Sequence, residues 1–251
     1  MNNTKITIQI GYDSMSFSVA KPQAGDKSLT EPYDVNASIS MAANLREAFN
    51  TSILLKGSYE AAVVMVDSPV LLIPTEEIEP TDTQQPTPDT QTLYRHTFAS
   101  VPSGSIIVSS EIEDLSVVAV YTVSKDLKTV LDDHFQKVTF IPTGLPVWRD
   151  TYRRAFPPKG RKLFAYFHDA QMEVFSFRQN RFNFHNTFSA AHAHDALYYL
   201  LFAWKQLAMD AAHDEMELIG DMPHGEWLTE HLKQHLTNVT TTRQPLPLCV
   251  S

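Results

Sequence analysis

The sequence predicts an α/β protein of two lobes, and three observations carry that reading. First, Ile6, Ile8 and Ile10 alternate on one face, Gly11 to Ser14 form a short turn, and alternation resumes at Met15, Phe17 and Val19, which is the pattern of a hairpin. Second, the same opening recurs at Lys162 to Phe167 and Met172 to Phe177 around a turn at His168 to Gln171, with Lys5 aligning with Lys162 and Ile10 with Phe167. Third, Pro157, Pro158 and Gly160 interrupt the chain between the two patterns and mark a boundary, giving lobes over 1–158 and 159–251. Two sheets that each open with a hairpin and continue through crossover helices make a two-lobed α/β protein.

The elements of the first lobe follow in order. After the hairpin, a polar, proline-containing stretch runs to Tyr33. Ile39, Ala42, Ala43, Leu45, Arg46 and Phe49 recur at helical spacing, with Ser38 placed as cap. Ala61 to Asp67 and Val70 to Ile73 read as buried strands. Pro74 to Thr92 is acidic, rich in Pro and Thr and almost free of large apolar residues, so it reads as a mobile surface loop. Asp89 is placed to cap a short helix through Phe98. Strands at Ser105 to Ser110 and Leu115 to Val123 meet at the polar turn Glu111 to Asp114. A helix from Lys125 to Phe135, a strand Val138 to Ile141 and a helix Pro146 to Phe156 complete the lobe.

In the second lobe, Phe182, Phe184 and Thr187 supply a third strand after a turn at Gln179 to Arg181. A long helix runs from His192 to Ala212, with Leu197, Tyr198, Leu200, Leu201, Trp204 and Leu207 on its buried side. Met216 to Ile219 is a short strand, Trp227 to Leu236 a helix and Val239 to Arg243 a final strand.

Composition excludes several functions. Hydrophobic residues make up 43% of the 251, the share of a folded protein with a sizeable core. The longest apolar runs, such as Ala61 to Val66, fall well short of the ~20 residues a spanning helix needs. The amino-terminal MNNTKITIQI lacks the pattern of a secretory signal, so the expected location is the cytoplasm and no membrane contact is expected. The formal net charge of −9 argues against nucleic acid as a partner, and the basic stretch Arg149, Arg153, Arg154, Lys159, Arg161 and Lys162 reads as a solvated face. The single cysteine, Cys249, has no partner for an internal disulfide or a metal site and is expected to be inert. The 8 glycines stand alone, so neither a G-x-G-x-x-G nor a G-x-x-x-x-G-K-[ST] phosphate loop can be written from them.

The doubled hairpin, the three-strand opening of the second lobe and the run ELIGDMPHGEWLTEHLKQHL together resemble the actin-like ATPase superfamily, whose lobes are each of the ribonuclease-H-like type. More closely, the chain resembles a family of uncharacterised bacterial proteins of unknown function with that fold. The resemblance implies a nucleotide cleft between the lobes, with Gly11, Asp13, Gly220 and Asp221 as its cofactor-binding positions. It also implies an Asp near the end of the first strand, a turn glycine and a Lys on the second strand. Laid on this chain, those positions fall on Gln9, Gly11 and Ser16. The second hairpin reads YFHDAQMEVF and puts Tyr166 and His168 where an Asp and a glycine turn belong, with Asp169 one register step away. Without acidic metal anchors and glycine turns, triphosphate charge is poorly compensated. The expectation is the fold without the ATPase: no catalytic residue, no metal and no cofactor, and a protein partner instead.

Other groupings bear on chemistry. His192, His194 and Asp195 open the long helix and offer three metal-ligand types, although Asp is also favoured electrostatically at a helix start. His231 and His235 lie one turn apart, beside a stripe of Leu228, Leu232 and Leu236. Asp13, Glu47 and Asp67 are the carboxylates that a two-metal nuclease on this topology would use, against a reading of Asp13 and Asp67 as turn formers. Two functions remain open: a non-catalytic scaffold or partner-binding module, and a nucleotide-binding or metal-dependent phosphotransfer or phosphodiester enzyme.

Overall fold

A computed structural model describes residues 5–20, 28–78, 89–156 and 160–242. The described residues fall into two compact units. The first holds those up to Glu111 together with Val118–Pro146; the second holds Ile112–Val117 and those from Val147 onward.

The first unit is built on β1 (Lys5–Ile10), β2 (Met15–Val19), β3 (Leu29–Tyr33), α1 (Met41–Thr51) and β4 (Ala61–Val66). It continues through β5 (Leu71–Pro74), α2 (Thr75–Ile78), α3 (Thr90–Thr97), β6 (Ser105–Ile112), β7 (Val117–Ser124), α4 (Lys125–Asp132) and β8 (Lys137–Pro142). Its main sheet has the order β3-β2-β1-β4-β8, with the first three strands antiparallel and β1, β4 and β8 parallel. The central parallel strand β4 reads AAVVMV and buries every residue after the first, as a strand covered on both faces requires. Ile6, Ile8, Phe17, Leu45 and Ala48 are wholly buried around it. A second, three-stranded sheet, β5-β7-β6, packs Ile73, Ile107 and Val120 against Tyr94 of α3.

The structure shifts several sequence boundaries here. A third strand, β3, lies in the stretch read as irregular. It is a sheet edge, where Pro32 and the half-exposed Leu29 are tolerated and inward alternation is weak. The cap of α1 is Ser40 rather than Ser38: its hydroxyl accepts from the Ala43 N–H at 3.2 Å, while Ser38 bonds to Asn36. Ser40→Ala is expected to cost about 1 kcal/mol in equilibrium unfolding, whereas Ser38→Ala should leave the helix unaffected. Asp89 does cap α3, accepting from the Gln91 N–H. Of the segment read as a mobile loop, Thr75–Ile78 is helical and Thr90 to Thr92 open α3; residues 79–88 lie outside the described residues.

Helix α5 (Leu145–Tyr152) leads into the second unit, which contains β9 (Lys162–His168), β10 (Gln171–Arg178), β11 (Arg181–Ser189), α6 (Ala193–Gln206), β12 (Glu215–Gly220), α7 (Gly225–Lys233) and β13 (Asn238–Thr242). The sheet order β11-β10-β9-β12-β13 repeats that of the first unit, including which neighbours are parallel. The alignment of Lys5 with Lys162 holds in register: Lys5 pairs with Ala61 and Ile10 with Val66, while Lys162 pairs with Glu215 and Phe167 with Gly220. One face of this sheet, with Leu163, Ala165, Met172, Val174, Met216 and Leu218, packs on Leu200 and Trp204 of α6 and on Leu228 and Leu232 of α7.

Helix α6 is shorter than its sequence suggests. Ala208 turns left-handed at φ 47°, and the Asp214 carboxylate accepts from the backbone N–H groups of Asp210 and Arg161, both at 2.7 Å, which fixes a loop where helical propensity would continue. Tyr198 was expected on the buried side, but it is 63% exposed and stacks on the outward-facing Phe202. The basic stretch is solvated at Arg153 and Arg154, which are exposed, and is also laced with ion pairs. Arg149 pairs with Asp114, Arg154 with Asp150 and Glu217, Arg161 with Asp214, and Lys162 with Glu217.

Candidate functional site

Open α/β sheets bind ligands beyond the carboxyl ends of their parallel strands, and the positions read from the sequence sit at such ends, two in each unit. In the first unit β1 closes into the turn that holds Gly11 and Asp13. The Gly11 N–H donates to the Ser14 carbonyl at 2.9 Å, and Tyr12 and Asp13 stand exposed at the tip. Gln9 and Ser16, the positions where the actin-like pattern places an acid and a base, face each other as cross-strand partners. At the end of β4, the Asp67 N–H donates to the Ile10 carbonyl at 3.1 Å.

In the second unit Gly220 and Asp221 end β12, with Asp221 exposed. Gly220 has φ +92°, and a Cβ there would lie 2.3 Å from the Phe167 carbonyl oxygen. Both its backbone conformation and the neighbouring strand therefore call for glycine at this position. The turn between β9 and β10 is a two-residue one, Asp169 and Ala170, both at positive φ (44° and 56°). This is the backbone of a primed hairpin turn, made here without glycine.

These residues do not fit a magnesium triphosphate. Gln9 offers no carboxylate, Ser16 no cation, the Gly11 N–H is engaged within its own turn, and Gly220 is accounted for by strand packing. We derive no catalytic step through a nucleotide.

The other groupings also resolve into local roles. His194 and His231 both pack on the Trp227 ring, at 4.4 and 3.9 Å between centroids, and the His231 Nδ1 lies 2.8 Å from the Trp227 carbonyl. His192 is the cap residue of α6 but makes no side-chain capping bond, and His235 is exposed. Among the described residues neither these histidines with Asp195 nor Asp13, Glu47 and Asp67 bring their ligand atoms together. Glu47 and Asp13 are exposed.

Reading the sequence missed the most concentrated polar cluster of the second unit. On the face of the sheet away from α6, Glu173 of β10 is 5% exposed, and its carboxylate lies within hydrogen-bond reach of three ring nitrogens. The Trp148 indole N–H of α5 donates at 2.9 Å, the His168 Nε2 lies at 3.0 Å and the His185 Nε2 at 3.3 Å. Burial pushes the carboxyl up, but the hydrogen bonds and charges of His168 and His185 outweigh it and hold the group at about 2. A second buried acid on the same face, Glu217, is gripped by Arg154, by the Lys162 ammonium at 2.9 Å and by the Thr242 hydroxyl at 2.8 Å. Burial raises its carboxyl, yet those partners leave it below the ordinary range. Both acids are satisfied structural anchors between sheet and flanking segments. The one available signal was a lone acid in the apolar run MEVF, a residue type almost never buried unless paired.

Residues 1–239 match a protein family described as "Protein of unknown function (DUF3822)". The chain belongs to this family. A Bacteroides thetaiotaomicron VPI-5482 protein described as having an actin-like ATPase fold and unknown function is similar to it with a TM-score of 0.84 and 24% identity, over 96% of this chain and 91% of that one. A chain of the PilM-PilN type IV pilus biogenesis complex is similar with a TM-score of 0.59 and 12% identity, over 95% of this chain and 88% of that one. The fold of this DUF3822 member is thus of the actin-like ATPase type, as the doubled hairpin implies. No curated protein matches the sequence significantly. No helix among the described residues is long and apolar enough to cross a membrane.

Proposed function

We propose that this DUF3822 protein is a non-catalytic member of the actin-like fold that acts as a scaffold or binding module for a protein partner. The observation that carries the reading is the replacement of the fold's acid and base by the cross-strand pair Gln9 and Ser16, with Gly11 engaged in its own turn. In phosphoryl transfer, positioning and charge compensation of the phosphates and their metal supply nearly all the catalysis, so a site lacking those groups lacks the activity. A chain of similar fold in the PilM-PilN complex gives a precedent for work within an assembly. The second reading, nucleotide binding or phosphotransfer, draws on Gly220 and Asp221 at the end of β12, but the φ of Gly220 and its approach to Phe167 explain that glycine without a ligand.

Calorimetry with ATP and Mg2+ separates the two. The expected result is no micromolar binding and no hydrolysis above background. In a thermal shift, a nucleotide present at a hundred times its Kd would add about 2.7 kcal/mol, so a flat melting curve agrees with the proposal. Micromolar binding that is lost in Asp13→Asn or Asp221→Asn would overturn it, because it would show the cofactor-binding positions at work.

A further inference from the structure

The first unit carries a hollow of about 360 Å³, remote in sequence from the strand-end positions and lined by Phe49, Leu55, Ser58, Tyr59, Glu60 and His134 with Gly57 and Phe135. Its volume lies at the lower end of the range for small-ligand sites. Four of these residues, Phe49, Tyr59, His134 and Phe135, carry planar rings. Phe49 of α1 and His134, just after α4, stack face to face, with centroids 3.6 Å apart and planes 9° apart. On the adjoining loop the Tyr59 ring lies over Gly57, so close that a Cβ on that glycine would sit 2.6 Å from the tyrosine hydroxyl.

The polar side chains here offer acceptors, and the Ser58 and Tyr59 hydroxyls can donate as well. The His134 Nδ1 lies 2.7 Å from the Val130 carbonyl, which can only accept, so Nδ1 carries a proton there. Ser58 and Tyr59 add hydroxyls, and Glu60, exposed at the foot of β4, adds a carboxylate. Behind the loop, Glu31 accepts from Ser52 and from the backbone of Ile53 and Leu54, placing a second negative charge near Tyr59. Burial first, and then the Glu31 charge, push the Tyr59 hydroxyl up, so it stays protonated and neutral. None of the lining residues is Lys or Arg. The neighbouring Lys56 is close enough to Glu31 to favour its ionised form, and the Lys137 backbone N–H donates to the Glu60 carbonyl.

We propose that this hollow recognises a guanidinium, the arginine side chain of a basic protein partner. Flat aromatic walls beside a carboxylate suit a planar cation that stacks and bonds bidentately, which a lysine ammonium cannot do. The net charge of −9 draws a basic partner toward the surface at long range. The inference rests on the partner-binding reading for the origin of the arginine. Nucleotide calorimetry tests that reading by itself, so the two can fail separately.

The test is a titration of the full-length protein with the peptide acetyl-Gly-Arg-Gly-amide, followed by amide NMR, alongside its lysine and citrulline counterparts. Saturable shifts are expected at residues 57–60 and 134, with citrulline binding about tenfold weaker, equivalent to about 1.4 kcal/mol. Glu60→Gln, at an exposed position, is expected to weaken the arginine peptide by a similar factor. Gly57→Ala, which drives Tyr59 off its seat, should weaken it without changing the melting temperature by more than a few degrees. Arginine shifts that map elsewhere or do not saturate would overturn the proposal. So would equal affinity for citrulline or lysine, or full affinity in Glu60→Gln.

Discussion

Trp204→Ala is expected to destabilise the second unit by about 3 to 5 kcal/mol in denaturant unfolding, the range for truncating a large buried aromatic. Trp204 is only 5% exposed and sits where α6 meets Leu163, Ala165, Met216 and Leu218 of the sheet. Its indole N–H is buried and has no hydrogen-bond partner among the described residues, so the site gains from the ring's area and not from its polar tip. Trp204→Phe should therefore cost far less than Trp204→Ala, because it deletes an unsatisfied donor along with part of the ring. A loss below about 1 kcal/mol for the alanine variant would place Trp204 outside the core and overturn the packing of α6 on the sheet.

That residue was legible in the sequence because helical spacing puts Ala196, Leu200, Ala203 and Trp204 on one stripe. Other positions were not, for identifiable reasons. Tyr198 lies two residues before Leu200 and is apolar enough to pass for core, yet it falls on the opposite side of the helix and stacks on Phe202 in the open. The loop after α6 reads LAMDAA, a composition that favours helix, and it is ended by tertiary and local contacts: Asp214 on backbone N–H groups and the Arg161 guanidinium on the Leu207 and Ala208 carbonyls. Propensity is a weak prior against such a tertiary contact. β3 escaped because an edge strand needs neither alternation nor freedom from proline, and its register follows from pairing with β2. The hairpins, by contrast, were plain: a period of two with a short polar turn has few other outcomes, and its recurrence gave the duplicated topology.

The candidate sites show a different limit. Gly11, Asp13, Gly220 and Asp221 were singled out by resemblance; Gly11 and Asp13 lie in the turn after β1, and Gly220 and Asp221 at the end of β12. What a pattern of residues does not show is why a residue is there, and for Gly220 the reason is the Phe167 carbonyl 2.3 Å from where its Cβ would be. The hollow beside Tyr59 was illegible because its walls come from α1, a connecting loop and the segment after α4, spread from Phe49 to Phe135, and none of them forms a motif alone.

The Glu173 cluster leads to the second large effect. Glu173→Leu is expected to cost about 3 to 5 kcal/mol, because it strips the acceptor from the Trp148 indole and from two imidazoles that stay buried. Glu173→Gln keeps the shape and one acceptor but removes the charge, and its comparison with the native protein across pH isolates the ionisation. The folded-state value of about 2 lies below the ordinary 4.5, so folding favours the carboxylate. The contribution of that carboxylate is complete above about pH 4.5 and is lost as pH falls from there toward 2, amounting to about 3 kcal/mol as an upper bound. Through that window His168 and His185 can donate from Nε2–H in either protonation state, so the event that matters is protonation of Glu173, which removes its charge and turns one of its acceptor oxygens into a donor. Glu217, also held below its ordinary range, titrates in the same direction in both proteins and cancels in the comparison. The native protein is therefore expected to be more stable than Glu173→Gln at pH 7, with the gap closing as pH is lowered from 4.5 to about 2. A gap that stayed constant over that window would show that Glu173 is not the ionised anchor of this sheet, and the charged form of the cluster would have to be abandoned.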